Sequence, residues 1–182
     1  IFPLIIGCLV FLATKPAIMK WPLSVALCVA SVWVTHVYHP GWQCRAGKDC
    51  EKVAVSGDML EMPSSTASDV RLLKDLAAKY ASDGRSYVVT PFWPGAYALL
   101  DGKSPMWEIY ALRPRTMDFQ LREIERIRRA DPAFVLVIDT PLDGRDDLRF
   151  RNTHSEIYNF MEKKFQKVDG ETNQPDYLLF TE

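Results

Sequence analysis

The sequence predicts an α/β protein in which two N-terminal transmembrane helices precede a small α/β sandwich with a mixed, partly parallel sheet. Three observations predict it. Of 182 residues with a formal net charge of -1, residues 1–40 carry only Lys15 and Lys20. All other charge, 20 basic and 23 acidic residues, falls in 41–182. From Ser65 onward, helical spacing alternates with short β-rich apolar runs, the order of an α/β domain. A chain with 12% aromatic residues needs a core, which excludes low-complexity disorder, and the balanced charge excludes a strongly basic nucleic-acid footprint.

Residues 21–38 form an uncharged stretch of 18, near the shortest helix that crosses ~30 Å of hydrocarbon. Trp21 stands at one end, with Trp33, Tyr38 and His39 near the other, as an interfacial aromatic belt would place them. Residues 1–13 are apolar but short, which predicts a first helix that is truncated. A cleaved signal peptide fits poorly, because basic residues follow the first apolar run and "WVTHVYHP" offers no small-residue cleavage site. Lys15 and Lys20 in the connection mark the cytoplasmic side, so residues 41–182 are expected outside the cytoplasm. The competing reading is a buried hairpin of a soluble protein. It is disfavoured because neither segment has a polar face.

Cys8 and Cys28 lie within apolar segments and read as small hydrophobes. Cys44 and Cys50 flank RAGKD in a polar juxtamembrane stalk, 41–64, where a local disulfide is the natural expectation outside the cytoplasm. A zinc site is the weaker alternative, since only His36 and His39 are near in sequence.

Within 65–182, Thr66–Asp69 reads as a capping box opening a helix, with Val70, Leu73, Ala77 and Tyr80 at helical spacing up to Asp83-Gly84. Before it, 57–66 reads as linker. SYVVTP (86–91) is a strand closed by proline, and 94–102 a helical turn closed by Gly102. WEIYAL (107–112) reads as a second strand or an extended segment. Residues 117–130 form a charged amphipathic helix with Leu121, Ile124 and Ile127 inward, and FVLVID (134–139) is a strand covered on both faces. A second capping-box match, Thr153–Glu156, opens a helix carrying Ile157, Phe160, Met161 and Phe165. FQKVD (165–169) and YLLFTE (177–182) close the chain as strands, with a hairpin expected.

No GxGxxG, GxxxxGK[ST], GxSxG or HExxH occurs, and no motif calls for a cofactor or a metal. His154 reads either as a base paired with a carboxylate or as a surface residue of a helix's first turn. Segment 90–115 interleaves Phe92, Trp93, Tyr97, Trp107 and Tyr110 with proline and glycine after a strand end, where α/β sheets bind ligands. Its aromatic faces suit sugar rings or lipid headgroups, and Arg113 or Arg115 a phosphate. Alternatively, these aromatics fill the core or dock on a membrane surface. Segment 139–154 alternates Asp143, Asp146 and Asp147 with Arg145, Arg149 and Arg151, a pattern that fits an ion-paired surface loop better than a cation site.

YVVTPFWPGAYALLDGKSPMWEIYALRPR, the charged helix, FVLVIDTPLDGRDDLRF, NTHSEIYNFM, KKFQKV and the final YLLF together resemble a known domain. It is the C-terminal extracytoplasmic domain of bacterial GT-C-type polytopic membrane glycosyltransferases, relatives of the dolichyl-phosphate-mannose protein mannosyltransferases. The resemblance spans roughly 1–182, with Pro94, Gly95 and Tyr97 in its Pro-Gly-x-Tyr turn and the N-terminal segments as the last membrane helices.

The resemblance implies a polyprenyl-phosphate sugar donor, a glycan or lipid acceptor, and residues 41–182 on the periplasmic side of the bacterial inner membrane. The family's catalytic acid lies in a first external loop outside this sequence, so no catalytic residue carries over. Residues 65–182 are then expected to be an accessory, non-catalytic domain. Two other readings compete. One is a membrane-anchored binding or interaction module without enzymatic activity. The other is a hydrolase using His154 with the Asp143–Asp147 cluster. Trp93, Tyr97, Trp107, Tyr110, Arg113, Asp143, Arg145 and His154 are the candidate ligand-binding residues.

Overall fold

A computed structural model describes residues 20–35, 44, 49–172 and 174–182. The chain divides into two compact units, Ile1–Val53 with Leu60–Ser64 and Ala54–Met59 with Ser65–Glu182. The expected first apolar helix (1–13), Lys15, His36, Tyr38 and His39 lie outside the described residues.

In the first unit, helix α1 spans Lys20–Thr35 and has 16 residues. No helix among the described residues is long and apolar enough to cross a membrane. Trp21 and Trp33 are exposed on α1, and Cys28 is a free, exposed thiol. Cys44 and Cys50 are joined in a disulfide, with Cα atoms 5.7 Å apart.

Strands β1 (Cys50–Val55) and β2 (Asp58–Pro63) pair in a two-stranded sheet. The two residues between them, Ser56 (φ 49°) and Gly57 (φ 92°), both take positive φ, as a tight hairpin turn requires. The expected linker at 57–66 is therefore corrected: it is mostly strand, because Ser-Gly is turn chemistry between two pairable runs.

In the second unit, helix α2 spans Ser64–Tyr80. It starts two residues before Thr66, so Thr66 lies inside the first turn and does not cap it. A four-stranded sheet follows: β3 (Tyr87–Thr90), β4 (Phe134–Ile138), β5 (Gln166–Val168) and β6 (Tyr177–Thr181). Its order is β3-β4-β6-β5. β3 and β4 run parallel, while β6 is antiparallel to both β4 and β5. The mixed, partly parallel sheet and the closing hairpin agree with the sequence reading.

Side chains alternate between the two faces of the sheet, and each face buries its own cluster. Val88, Val135, Val137, Leu178 and Phe180 share a core with Ile124 and Ile127 of helix α4 (Met117–Ala130). Phe150 and Met161 join them from the short helix α5 (Phe150–Thr153) and from α6 (Ser155–Lys164). On the opposite face Tyr87, Val89, Phe134, Leu136 and Leu179 pack with Leu73 and Leu76 of α2 and with Tyr97 of the turn α3 (Ala96–Leu99). Every residue of β4 is buried, which explains its unbroken apolar run.

Two local expectations are corrected. Residues 107–112, read as either a strand or an extended segment, form no strand. Leu121 is exposed, while Gln120, Glu123, Ile124 and Ile127 make the buried face of α4. Positions 120, 123, 124 and 127 lie on one helical stripe, and 121 falls off it.

The loop leaving α3 needs a glycine. A Cβ at Gly102 would collide with the hydroxyl and ring of Tyr87, and the Gly102 N–H donates to Tyr97 O at 2.7 Å.

Candidate functional site

The buried polar residues among those described are Thr90, Gln120, Glu123, Asp139, Thr153 and His154. Burying such groups is costly unless they are hydrogen-bonded, so their partners define what the region does. Most are gathered around loop 104–116 and the α5–α6 joint.

Glu123 is the anchor. Its carboxylate is held from α4 with only 1% of the side chain exposed, and Oε1 pairs with Arg126 at 2.6 Å. Oε2 accepts the backbone N–H groups of Trp107 (2.7 Å) and Glu108 (3.2 Å). Residues 107–108 therefore satisfy their amides with a side-chain carboxylate, where a strand would have used a neighbouring strand's carbonyls. That explains why a β-rich run forms no strand here.

Glu108 in turn clasps Arg115, whose Nε lies 2.9 and 3.0 Å from the two carboxylate oxygens and whose Nη2 is 2.6 Å from Oε1. This forked pairing fixes both ends of the loop. Oε2 of Glu108 is also 3.4 Å from His154 Nε2. A carboxylate only accepts, so a hydrogen bond to Glu108 places the imidazole proton on Nε2; Nδ1 lies 2.9 Å from the Thr153 hydroxyl, which also faces the Arg149 and Phe150 carbonyls at 3.2 and 3.4 Å. The His154 ring stacks on Phe150, with centroids 5.0 Å apart and planes at 10°.

His154 is fully buried, so its reading as a surface residue of a first turn is corrected. Burial holds its pKa below the ordinary 6.5, with the Glu108 hydrogen bond opposing that shift. The residue is the joint between α5 and α6, with φ -129° and ψ 48°. The expected capping box at Thr153–Glu156 does not form. The Glu156 N–H is met by Gln120 Oε1 at 3.0 Å, a cap supplied from α4, while Gln120 Nε2 donates to Arg115 O at 3.0 Å.

A second cluster closes the carboxyl end of β4. Asp139 accepts the Arg151 N–H at 3.0 Å and also pairs with the Arg151 guanidinium. Arg149 bonds the Asp139 carbonyl and pairs with Asp176 at 2.9 Å and Asp146 at 2.5 Å. Asp143 (φ 53°) and Gly144 (φ 71°) form an exposed turn, and Arg145 pairs with Asp147 at 2.6 Å. Asp146 and Asp147 are thus paired with Arg149 and Arg145 of the same segment. No group of three or more His, Cys, Asp or Glu side chains suited to a metal occurs among the described residues.

The candidate ligand-binding residues do not converge on one pocket. Tyr97 is buried and stacks on Tyr87 at 5.4 Å. Its hydroxyl accepts the Val89 N–H at 2.9 Å, and Trp93 packs edge-on against Tyr177 at 5.2 Å. Both belong to the α2-side core. Trp107 and Tyr110, by contrast, are exposed, at 76% and 52%, and Arg113 is exposed beside them. His154 pairs with Glu108, whereas Asp146 and Asp147 pair with arginines.

Glu108, Gln120, Glu123 and Asp139 carry the structure of this region, and sequence reasoning did not single them out. Gln120 and Glu123 were detectable as polar residues on the inward stripe of an amphipathic helix. Comparison of the chain with protein-family models, curated proteins and solved structures finds no match.

Proposed function

We propose that residues 65–182 are an accessory, non-catalytic extracytoplasmic domain of an integral membrane glycosyltransferase that uses a polyprenyl-phosphate sugar donor. On this reading, residues 1–40 hold the domain to the periplasmic face of a bacterial inner membrane through two transmembrane helices. The resemblance of roughly 1–182 to the tail domains and last membrane helices of such enzymes supports the assignment, as does the uncharged stretch 21–38.

One observation carries the non-catalytic part. The carboxylates and imidazole of the buried cluster are spent on protein partners, with Glu123, Thr153 and His154 closed to solvent. A Thr-His-Glu sequence of hydrogen bonds is present, but a general base must reach the proton it removes. Here the network instead fastens a loop whose outer side offers Trp107 and Tyr110.

The alternative of a membrane-anchored interaction module draws on the same exposed loop. Immunoblotting membranes and soluble fraction of the source cells with an antibody against 65–182 separates the two. A membrane band far above 20.8 kDa is expected for the transferase. A membrane band near that mass favours the module, and a soluble band overturns both.

A further inference from the structure

Among the described residues of 65–182, the exposed large apolar side chains are Trp107, Ile109, Tyr110, Met117 and Leu121. They fall within fifteen consecutive residues, the loop and first turns of α4. Among the other described residues of 65–182 such side chains are at least partly covered. Scattered exposed apolar residues need no explanation, but a concentrated group marks an interaction surface.

The same face carries positive charge. From 107 to 130 the sequence has six arginines against Glu108, Asp118, Glu123 and Glu125. Glu108 and Glu123 are sheltered and pair with Arg115 and Arg126. Arg122 and Arg128 have Asp118 and Glu125 as partners. Arg113 and Arg129 form no ion pair among the described residues. Arg122, Arg126 and Arg129, spaced four and three apart on α4, line one open groove of about 360 Å³ with Leu121 and the acids Asp118 and Glu125. The Arg126 guanidinium lies 5.5 Å from the Trp107 ring centroid, joining the basic stripe to the aromatic loop.

We infer that this face docks on a bilayer surface bearing anionic phosphate headgroups. Trp and Tyr are the side chains that settle at a membrane–water interface, with rings at headgroup depth. Arginines beside them meet phosphates, and each basic residue near an anionic surface strengthens binding about fivefold. Soluble partners matching this face would need an acidic rim around an apolar centre. A bilayer presents both layers everywhere. The loop is also held from beneath by Glu123 and Glu108, so docking orders little and loses little entropy. The inference rests on the chemistry of this face and extends the accessory-domain reading. Fractionation tests that reading, and Trp107 tests this one.

The test uses the full chain reconstituted in phosphatidylcholine vesicles, with or without phosphatidylglycerol, containing acyl-brominated lipid. The difference in fluorescence between wild type and Trp107→Phe isolates the Trp107 emission from that of the other four tryptophans. Quenching of that emission by bromine is expected, stronger with phosphatidylglycerol. Arg129→Gln, and separately Arg113→Gln, should each lower the docked-to-free ratio about fivefold in anionic vesicles. The Trp107 emission staying open to aqueous iodide and untouched by bromine overturns the inference. Protection from both quenchers overturns it too, since a second copy or another protein would then cover the face. Unchanged near-ultraviolet circular dichroism confirms that each variant is folded.

Discussion

Glu108 and His154, 46 residues apart in the chain, meet at 3.4 Å between Oε2 and Nε2. The contact ties loop 104–116 to the joint between α5 and α6. On the other side of the loop, Glu123 holds the amides of residues 107 and 108. The buried Glu123 and the partly buried Glu108 thus convert an irregular segment into a fixed platform.

Removing the deeper acid should free that platform. Glu123→Ala leaves two backbone N–H groups without an acceptor and is expected to cost about 2 kcal/mol. The urea midpoint should fall, and amide exchange at Trp107 and Glu108 should rise more than in β4. Glu123→Gln keeps an acceptor oxygen and should lose less.

Stability should depend on His154 protonation. Its folded-state pKa lies below the ordinary 6.5, so the unfolded chain binds the proton more readily. The contribution is complete above pH 6.5 and is lost as pH falls through 6.5 toward the folded value. Glu108, Arg115 and Glu123 are the charged groups acting on the ring. Thermal melts from pH 7.5 downward should show Tm decreasing, and the decrease should be smaller in His154→Gln. Equal slopes in both proteins contradict this.

Gly102 should not tolerate a side chain. An alanine Cβ would meet the Tyr87 hydroxyl and stand 2.9 Å from its Cζ, so the ring or the loop must move. Gly102→Ala is expected to destabilise by about 1–3 kcal/mol, read as a shift in the urea midpoint.

Tyr97 should matter through its hydroxyl. It bonds the Val89 N–H on β3, the strand at one edge of the sheet. Tyr97→Phe is expected to cost about 1–3 kcal/mol and to speed exchange of the Val89 amide, with the ring stack on Tyr87 kept.

Much of the fold was legible in the sequence because its signals are local. Phe134–Ile138 reads as a strand from apolar content alone, and Met117–Ala130 lies between Thr116, which accepts the Phe119 N–H, and the left-handed Asp131. The site was less legible because its determinants are tertiary. WEIYAL has strand propensity, yet Glu123, fifteen residues onward, supplies the acceptor that holds it as a loop. Thr153–Glu156 matches a capping box, yet Gln120 from another helix performs the capping. The interleaved aromatics of 90–115 gave no sign that Trp93 and Tyr97 turn into one core while Trp107 and Tyr110 face solvent. Only the course of the chain separates them.

On the proposed function, residues 65–182 assist a membrane glycosyltransferase without performing its chemistry. Glu108 tests it best, as the carboxylate of the buried cluster that keeps some solvent contact, with 11% of its side chain exposed. Membranes from source cells carrying Glu108→Gln should transfer sugar from a polyprenyl-phosphate donor within a few-fold of wild type, because the amide still reaches His154 and Arg115. Loss of a hundredfold or more, the scale of a missing general acid or base, in a protein of normal abundance would contradict it.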